Sequence, residues 1–280
     1  INDITSKAFG TSSIMIGDTT TGTISAANYN VGLGVDVFAA LTTGDNNVAV
    51  GFGALDANTT ASVNTAVGSN ALGANISGQQ NVAVGANSLD ANTTGGDNVA
   101  VGTGALGANT TAASNTAVGH LALTANTTGT GHAALGQSAL AANTTGTNNT
   151  GLGQVSLTAN TTGASNVAVG RAALTANTTG DNNTAVGMNA MVANTTGTDN
   201  VAVGAASLDA NTTGAENTAV GKSSLTGNTT GDYNVAVGEN ALANNTTADN
   251  NTAVGRRALL ANTTGTNNVA IGANALDAVT

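Results

Sequence analysis

Residues able to do chemistry are few and poorly grouped. His120 and His132 are the only histidines, and the chain has no cysteine. A metal centre or a nucleophilic triad needs several such groups converging on one point. Two single imidazoles without a matched carboxylate or thiolate do not supply that. The carboxylates are scattered singly. Asp56, Asp90, Asp209 and Asp277 share one position of a repeat, but Gly73, Gly107 and Thr226 interrupt the series. No continuous carboxylate column arises, and no acid–base pair of the glycosidase kind. Gly-x-Gly fragments such as Gly51-Phe52-Gly53 lack the strand–loop–helix setting of a phosphate loop. The calcium-binding nonapeptide of β-helical toxins is missing too. These residues predict no enzyme, no cofactor and no metal.

Asparagine and threonine are the polar groups that recur. An Asn-x-Thr/Ser triplet appears in thirteen copies, including Asn92 and Asn211, the candidate glycosylation sites. Glycan transfer needs an exposed amide, and sites about one strand spacing apart would be crowded. The competing expectation is that the asparagines stack inside and bond along the axis as amide ladders. Asn200 and Asn211 represent the two predicted ladders. The Thr-Thr pairs that follow the second ladder are read in two ways. Either they form a flat Thr/Asn face suited to ice or a host surface, or they are β-branched residues that stabilise stacked strands.

The elements that position these residues come from one repeat. A glycine returns every 17 residues from Gly34 to Gly272, in fifteen registers without insertion. An unbroken short period marks one turn of a stack, not a domain. Counting that glycine as place 5, place 1 is Asn except at His132, place 2 is Val or Thr except at Ala133, and place 4 is Val, Leu or Ile. Place 3 is Ala in thirteen coils and Gly in two; place 9 is Leu in thirteen. Place 2 alternates Thr and Val from Thr150 to Val269, which implies a two-coil duplication unit. The expected fold is all-β: a parallel β-solenoid or β-roll of about fifteen 17-residue coils, with two or three short strands per coil. Residues 30–280 form the array. Residues 1–29 form an atypical N-terminal segment holding a degenerate first coil at Ile14-Met15-Ile16, as a cap or a subunit-docking strand.

Strand side chains alternate, so places 2 and 4 share a face and place 3 takes the other. With the aliphatic place 4 assigned inward, Val203 and Leu208 become core and Gly204 the turn. Ala49, Ala66, Ala83 and Ala202 then form an outward methyl stripe. An extended apolar stripe suggests a partner surface; the alternative is that Ala fits a tight corner.

Bulk properties narrow the partners. With 5 basic against 15 acidic residues and a net charge of −10, the chain has no basic stripe for a phosphate backbone. No apolar run is long enough for a transmembrane helix. Nucleic acid and membrane insertion are therefore not expected. Ile1 in place of Met suggests a processed, secreted product. The final coil ends without a capping element, which suggests end-to-end assembly.

Asn64-Thr65-Ala66-Val67-Gly68 and Asn234-Val235-Ala236-Val237-Gly238, with their Ala-Leu and Asn-Thr-Thr-Gly continuations, resemble repeats of bacterial and phage tail-fibre-domain proteins. More distantly they resemble the head repeats of trimeric autotransporter adhesins. The resemblance covers residues 30 to 280. It implies a left-handed β-roll, often three chains about an axis, on an extracellular fibre or adhesin. The expected function is a non-enzymatic, self-assembling subunit of an extracellular fibre or filament. The alternative is a β-solenoid that binds ice, a glycan or a host surface through the Thr/Asn face.

Overall fold

The computed structural model describes residues 6–7, 14–17 and 26–278. Most of the predicted N-terminal segment (1–5, 8–13 and 18–25) lies outside the described residues, as do residues 279–280. The chain divides into two compact units, Ile1–Ser138 and Ala139–Thr280. The first holds β1 (Ser6–Lys7), β2 (Ile14–Gly17), β3 (Val31–Gly34), β4 (Val48–Val50), β5 (Thr65–Val67), β6 (Val82–Val84), β7 (Val99–Val101), β8 (Thr116–Val118) and β9 (Ala133–Leu135). The second holds β10 (Thr150–Leu152), β11 (Val167–Val169), β12 (Thr184–Val186), β13 (Val201–Val203), β14 (Thr218–Val220), β15 (Val235–Val237), β16 (Thr252–Val254) and β17 (Val269–Ile271).

Within each unit, from β2 onward, successive strands pair in parallel, each residue opposite the one 17 later, as Val201 pairs with Thr218 and Ala202 with Ala219. This is the expected all-β solenoid of about fifteen 17-residue coils. Ile14 pairs with Val31 in the same register, so β2 is a strand of that stack. β1 runs antiparallel along the other edge of β2, with Ser6 opposite Ile16.

Each coil of the array has one strand, not the two or three expected. Val and Thr at place 2 and a mostly Val place 4 favour extended backbone, and the place-5 glycine ends it. Gly204 has φ 138°, and a Cβ built there would meet the carbonyl oxygen of Gly221 at 2.5 Å. No L side chain fits that approach, which explains the glycine's return in every coil. Beyond it the chain makes turns in which places 7, 9 and 17 are left-handed: Ala206 has φ 52°, Leu208 φ 51° and Glu216 φ 55°. Leucine pays a steric penalty in this region. What holds it there is the stacking, which continues through the turns. Leu208 N–H donates to Ser224 O at 2.9 Å, and Thr212 N–H to Thr229 O at 2.9 Å.

The interior is narrow. Ala202 (place 3), Ser207 (place 8) and Leu208 (place 9) are fully buried, as are Asn200 and Asn211. Ser207 Oγ donates to Gly204 O at 2.9 Å, which satisfies its buried hydroxyl. The place-3 glycines measure the space available. At Gly151 a Cβ would lie 3.0 Å from Ser156 Oγ and 3.5 Å from a Leu140 carbon; at Gly32 it would lie 3.0 Å from Val37. A methyl fills this site, and nothing larger fits without displacing a neighbour.

Candidate interaction face

The strand face assigned from the sequence is reversed. Ala49, Ala66, Ala83 and Ala202 point into the coil and are fully buried, so the predicted outward alanine stripe is core. Val203, predicted as core, is 36% exposed and points out. The alternation argument holds, but the larger residues occupy the outside because only a methyl fits opposite Leu at place 9. Leu208 is core, as expected.

The outward surface consists of places 2 and 4. In the unit Ala139–Thr280, Val201, Val203, Val220, Val237 and Val254 are all at least 36% exposed. The remaining side chains of the two columns are at least half-buried by their stacked neighbours, apart from Val269 and Ile271, which are more exposed. In the unit Ile1–Ser138, Val31, Leu33 and Leu135 are exposed on the same two columns. Parallel in-register pairing places these side chains in two straight rows about 4.8 Å from strand to strand. Val and Thr interchange at place 2. A packed interior does not exchange a methyl for a hydroxyl freely, so this alternation was the sequence signal that place 2 is outside.

The asparagines are inside and bonded along the stack. Asn200 donates from N and Nδ2 to Asn183 Oδ1, both at 3.1 Å, and from Nδ2 to Gly214 O at 2.8 Å. Its own Oδ1 accepts from Asn217 N at 3.0 Å. Asn211 Nδ2 donates to Asn194 Oδ1 at 2.8 Å and to Gly214 O at 2.9 Å. Asn92 makes the equivalent bonds to Asn75 Oδ1 and Gly95 O. Glycosylation at Asn92 or Asn211 is thereby corrected: both amides are fully buried and their nitrogens are engaged. Asn211 and Thr213 do not form the flat Asn/Thr pair of the sequence reading, because Asn211 is buried while Thr213 is exposed. Thr212 is half-buried, and its hydroxyl donates to Thr229 O at 3.0 Å.

The groups with chemical potential stay apart. His132 takes a ladder place, buried, with its backbone N–H donating to Asn115 Oδ1 at 3.0 Å. His120 is exposed on the rim. Thr226 Oγ1 donates to Asp209 Oδ1 on the place-10 column. Burial raises Asp56 and Asp90 above the usual carboxylate value, and Asp36 adds to the effect at Asp56. Among the described residues no three His, Asp or Glu side chains gather in a way that could hold a metal ion. No helix among them is long and apolar enough to cross a membrane.

Comparison with protein-family models, with curated proteins and with solved structures finds no match to this chain.

Proposed function

We propose that this chain is a non-enzymatic structural protein whose copies associate laterally, through the strand face of places 2 and 4, into an extracellular fibre or filament. The observation that carries the reading is the pair of straight, outward, largely apolar columns, Val203, Val220, Val237 and Val254 among them. A solvated solenoid face has no need of such a surface, and a contiguous apolar patch of this extent points to a partner. Sixteen outward side chains on the eight strands of Ala139–Thr280, at roughly 50 Å² each, offer about 800 Å² per copy, the per-partner area of a standard interface. The partner is another copy: the same two columns recur coil after coil, and a repeated surface meets an identical one in register. The extracellular setting rests on the resemblance to surface-fibre repeats.

Electron microscopy of the purified chain, with its mass measured by sedimentation, tests this. Filaments or discrete multimers are expected. A monomeric mass at millimolar concentration would remove the reading. If monomers instead shaped ice and showed thermal hysteresis, the function would move to ice binding, with the Val/Thr columns as the surface in place of the Asn/Thr face.

A further inference from the structure

The coil that begins at His132 departs from the repeat at three successive places. Gly131 is the only glycine at place 17, His132 the only residue other than Asn at place 1, and Ala133 the only residue at place 2 that is neither Val nor Thr. From β2 to β17, β9 (Ala133–Leu135) is the one strand with no β-branched side chain. Alanine is depleted in strands, so β9 has the least intrinsic preference for extended backbone. It nevertheless carries a buried ionisable group at its entrance. His132 is 2% exposed, and its backbone N–H donates to Asn115 Oδ1 at 3.0 Å. Around it β8 and β9 are joined by Thr116 N–H donating to His132 O at 2.8 Å and Gly136 N–H to Val118 O at 2.8 Å. Just beyond, Ser138 N–H donates to His120 O at 3.0 Å.

An asparagine on this column uses both ends of its amide, as Asn115 does: Nδ2 donates to Gly129 O at 3.0 Å and Oδ1 accepts from His132 N. A neutral imidazole also has one donor and one acceptor, so it can take an amide's place. A protonated imidazole has two donors and no acceptor. It also brings a full charge into the interior, where the charged form is disfavoured. Counter-charge is distant. Residues 98–170 contain no Asp, Glu, Lys or Arg. The coil 115–131 has one titratable side chain, His120, which is exposed on the rim and becomes a cation too when protonated. Residues 133–170 have none. Asp97 is the nearest acid in sequence, and two whole coils separate it from His132. That is roughly 10 Å of stack, against a Debye length of about 8 Å at physiological salt.

We propose that His132 makes β9 an acid-sensitive point of the array: proton uptake by its imidazole opens the stack locally between β8 and β9, while distant coils stay closed. The direction follows from linkage. An imidazole in opened chain binds its proton around pH 6.5, and the closed coil admits the neutral ring only. The closed state is therefore fully stable above that pH and loses stability as pH falls through it. Between pH 7.5 and 5.5 the open population rises about ten-fold, the ratio by which proton binding favours the opened chain at the two values. Opening leaves the β8 edge with free N–H and C=O groups, a template for another extended segment. The inference concerns bonds inside one chain and is independent of lateral association.

Amide hydrogen exchange of the full chain at pH 7.5 and 5.5, corrected for the intrinsic exchange rate, tests this, because protection reads local opening. The Thr116, Gly136 and Ser138 amides should lose protection about ten-fold on acidification. The Val201 and Thr218 amides, which donate to Asn217 O and Asn234 O at 2.8 Å in coils without histidine, should keep theirs. His132→Asn restores the residue of the column and should abolish the loss; His120→Asn, on the rim, should leave it in place. Protection that does not change with pH overturns the proposal. So does a loss that survives His132→Asn, that disappears with His120→Asn, or that Val201 and Thr218 share. The His132 ring resonances of the parent chain give a second reading that needs no variant. A ring that becomes charged only as the three amides lose protection supports the proposal, and one that becomes charged while they stay protected overturns it.

Discussion

Replacing Ala202 by Val separates an inward from an outward place 3 by the sign of its effect. Were Ala202 on the outer face, Val would suit the strand better than Ala and stability would hold or rise, within the roughly 1 kcal/mol span of strand propensities. The structure places Ala202 inside, fully buried, two stacked alanines, Ala185 and Ala219, pairing with it above and below. At Gly151, in the same column, a bare Cβ is already 3.0 Å from a serine oxygen and 3.5 Å from a leucine carbon. Carbon contacts are optimal near 3.5–4.0 Å, so the two added methyl groups have no free volume. Overpacking of this kind costs about 1–3 kcal/mol. For a unit of this size that lowers the melting temperature by roughly 3–12 °C. Thermal circular dichroism of the full chain, run beside the parent, reads the change. A melting temperature equal to or above the parent's would refute the inward assignment and with it the outward Val/Thr face. Val203→Thr, melted at a dilution where the chain is monomeric, serves as the companion: an exposed, near-isosteric change expected to stay within about 0.5 kcal/mol.

Other consequences follow from the same coil. Val63 is a β-branched residue held at φ 62°, at the place where other coils have Asn46 or Asn182; Val63→Asn should stabilise by about 1 kcal/mol in a denaturant melt, because Asn tolerates left-handed backbone. Asn211→Ala removes the donor to Asn194 Oδ1 and Gly214 O; Gly214 O keeps its bond from Asn200 Nδ2, but the buried Asn194 Oδ1 is left unpaired beside a small cavity, and the change should cost about 2–4 kcal/mol in the same assay. Asp90 is raised above 3.8, first by burial. The folded chain therefore binds this proton more readily than the unfolded chain. Its contribution to stability grows as pH falls through the folded value and is complete below the unfolded value near 3.8. Asp90→Asn should accordingly raise the melting temperature at neutral pH and flatten the rise on mild acidification; a parent and variant with parallel pH profiles would contradict this.

The period, the parallel register and the two asparagine ladders were legible in the sequence, because stacking forces chemically like residues into columns. Place 1 and place 12 hold Asn in coil after coil since each amide needs an identical partner one coil away, as Asn200 does in Asn183 and Asn217. The orientation of the strand is not legible there, for a physical reason. Hydrophobicity points to Val203 as the inward residue, whereas in a coil this narrow burial follows size: Ala202 fits opposite Leu208 and Val203 does not. The left-handed turns were also hidden. Nothing in the type Leu marks φ 51° at Leu208, a conformation imposed by the stacked bonds on either side. The glycine column carried the one local signal, since the approach of Gly204 to Gly221 O excludes every other residue.

An exposed strand face rich in Val has an explanation that involves no partner: β-branched residues stabilise extended backbone wherever they are. The two columns allow that explanation to be weighed. Place 2 behaves as it requires, taking Thr in six coils and Val in most others. Thr and Val share the branched shape, and the hydroxyl is welcome in water. Place 4 behaves differently. It is Val, Leu or Ile in all fifteen coils and never Thr. Leu33, Leu135 and Leu152 are not β-branched, so strand propensity does not select them, and Leu33 and Leu135 are about half exposed. What the members of this column share is the absence of a polar atom. Burial within the coil does not require that, since the column points outward. The lateral association proposed above would require it, because a hydroxyl buried in the contact without a hydrogen-bond partner would cost free energy. On the proposed lateral association, the driest line of the contact therefore runs along place 4, the column a partner would cover first.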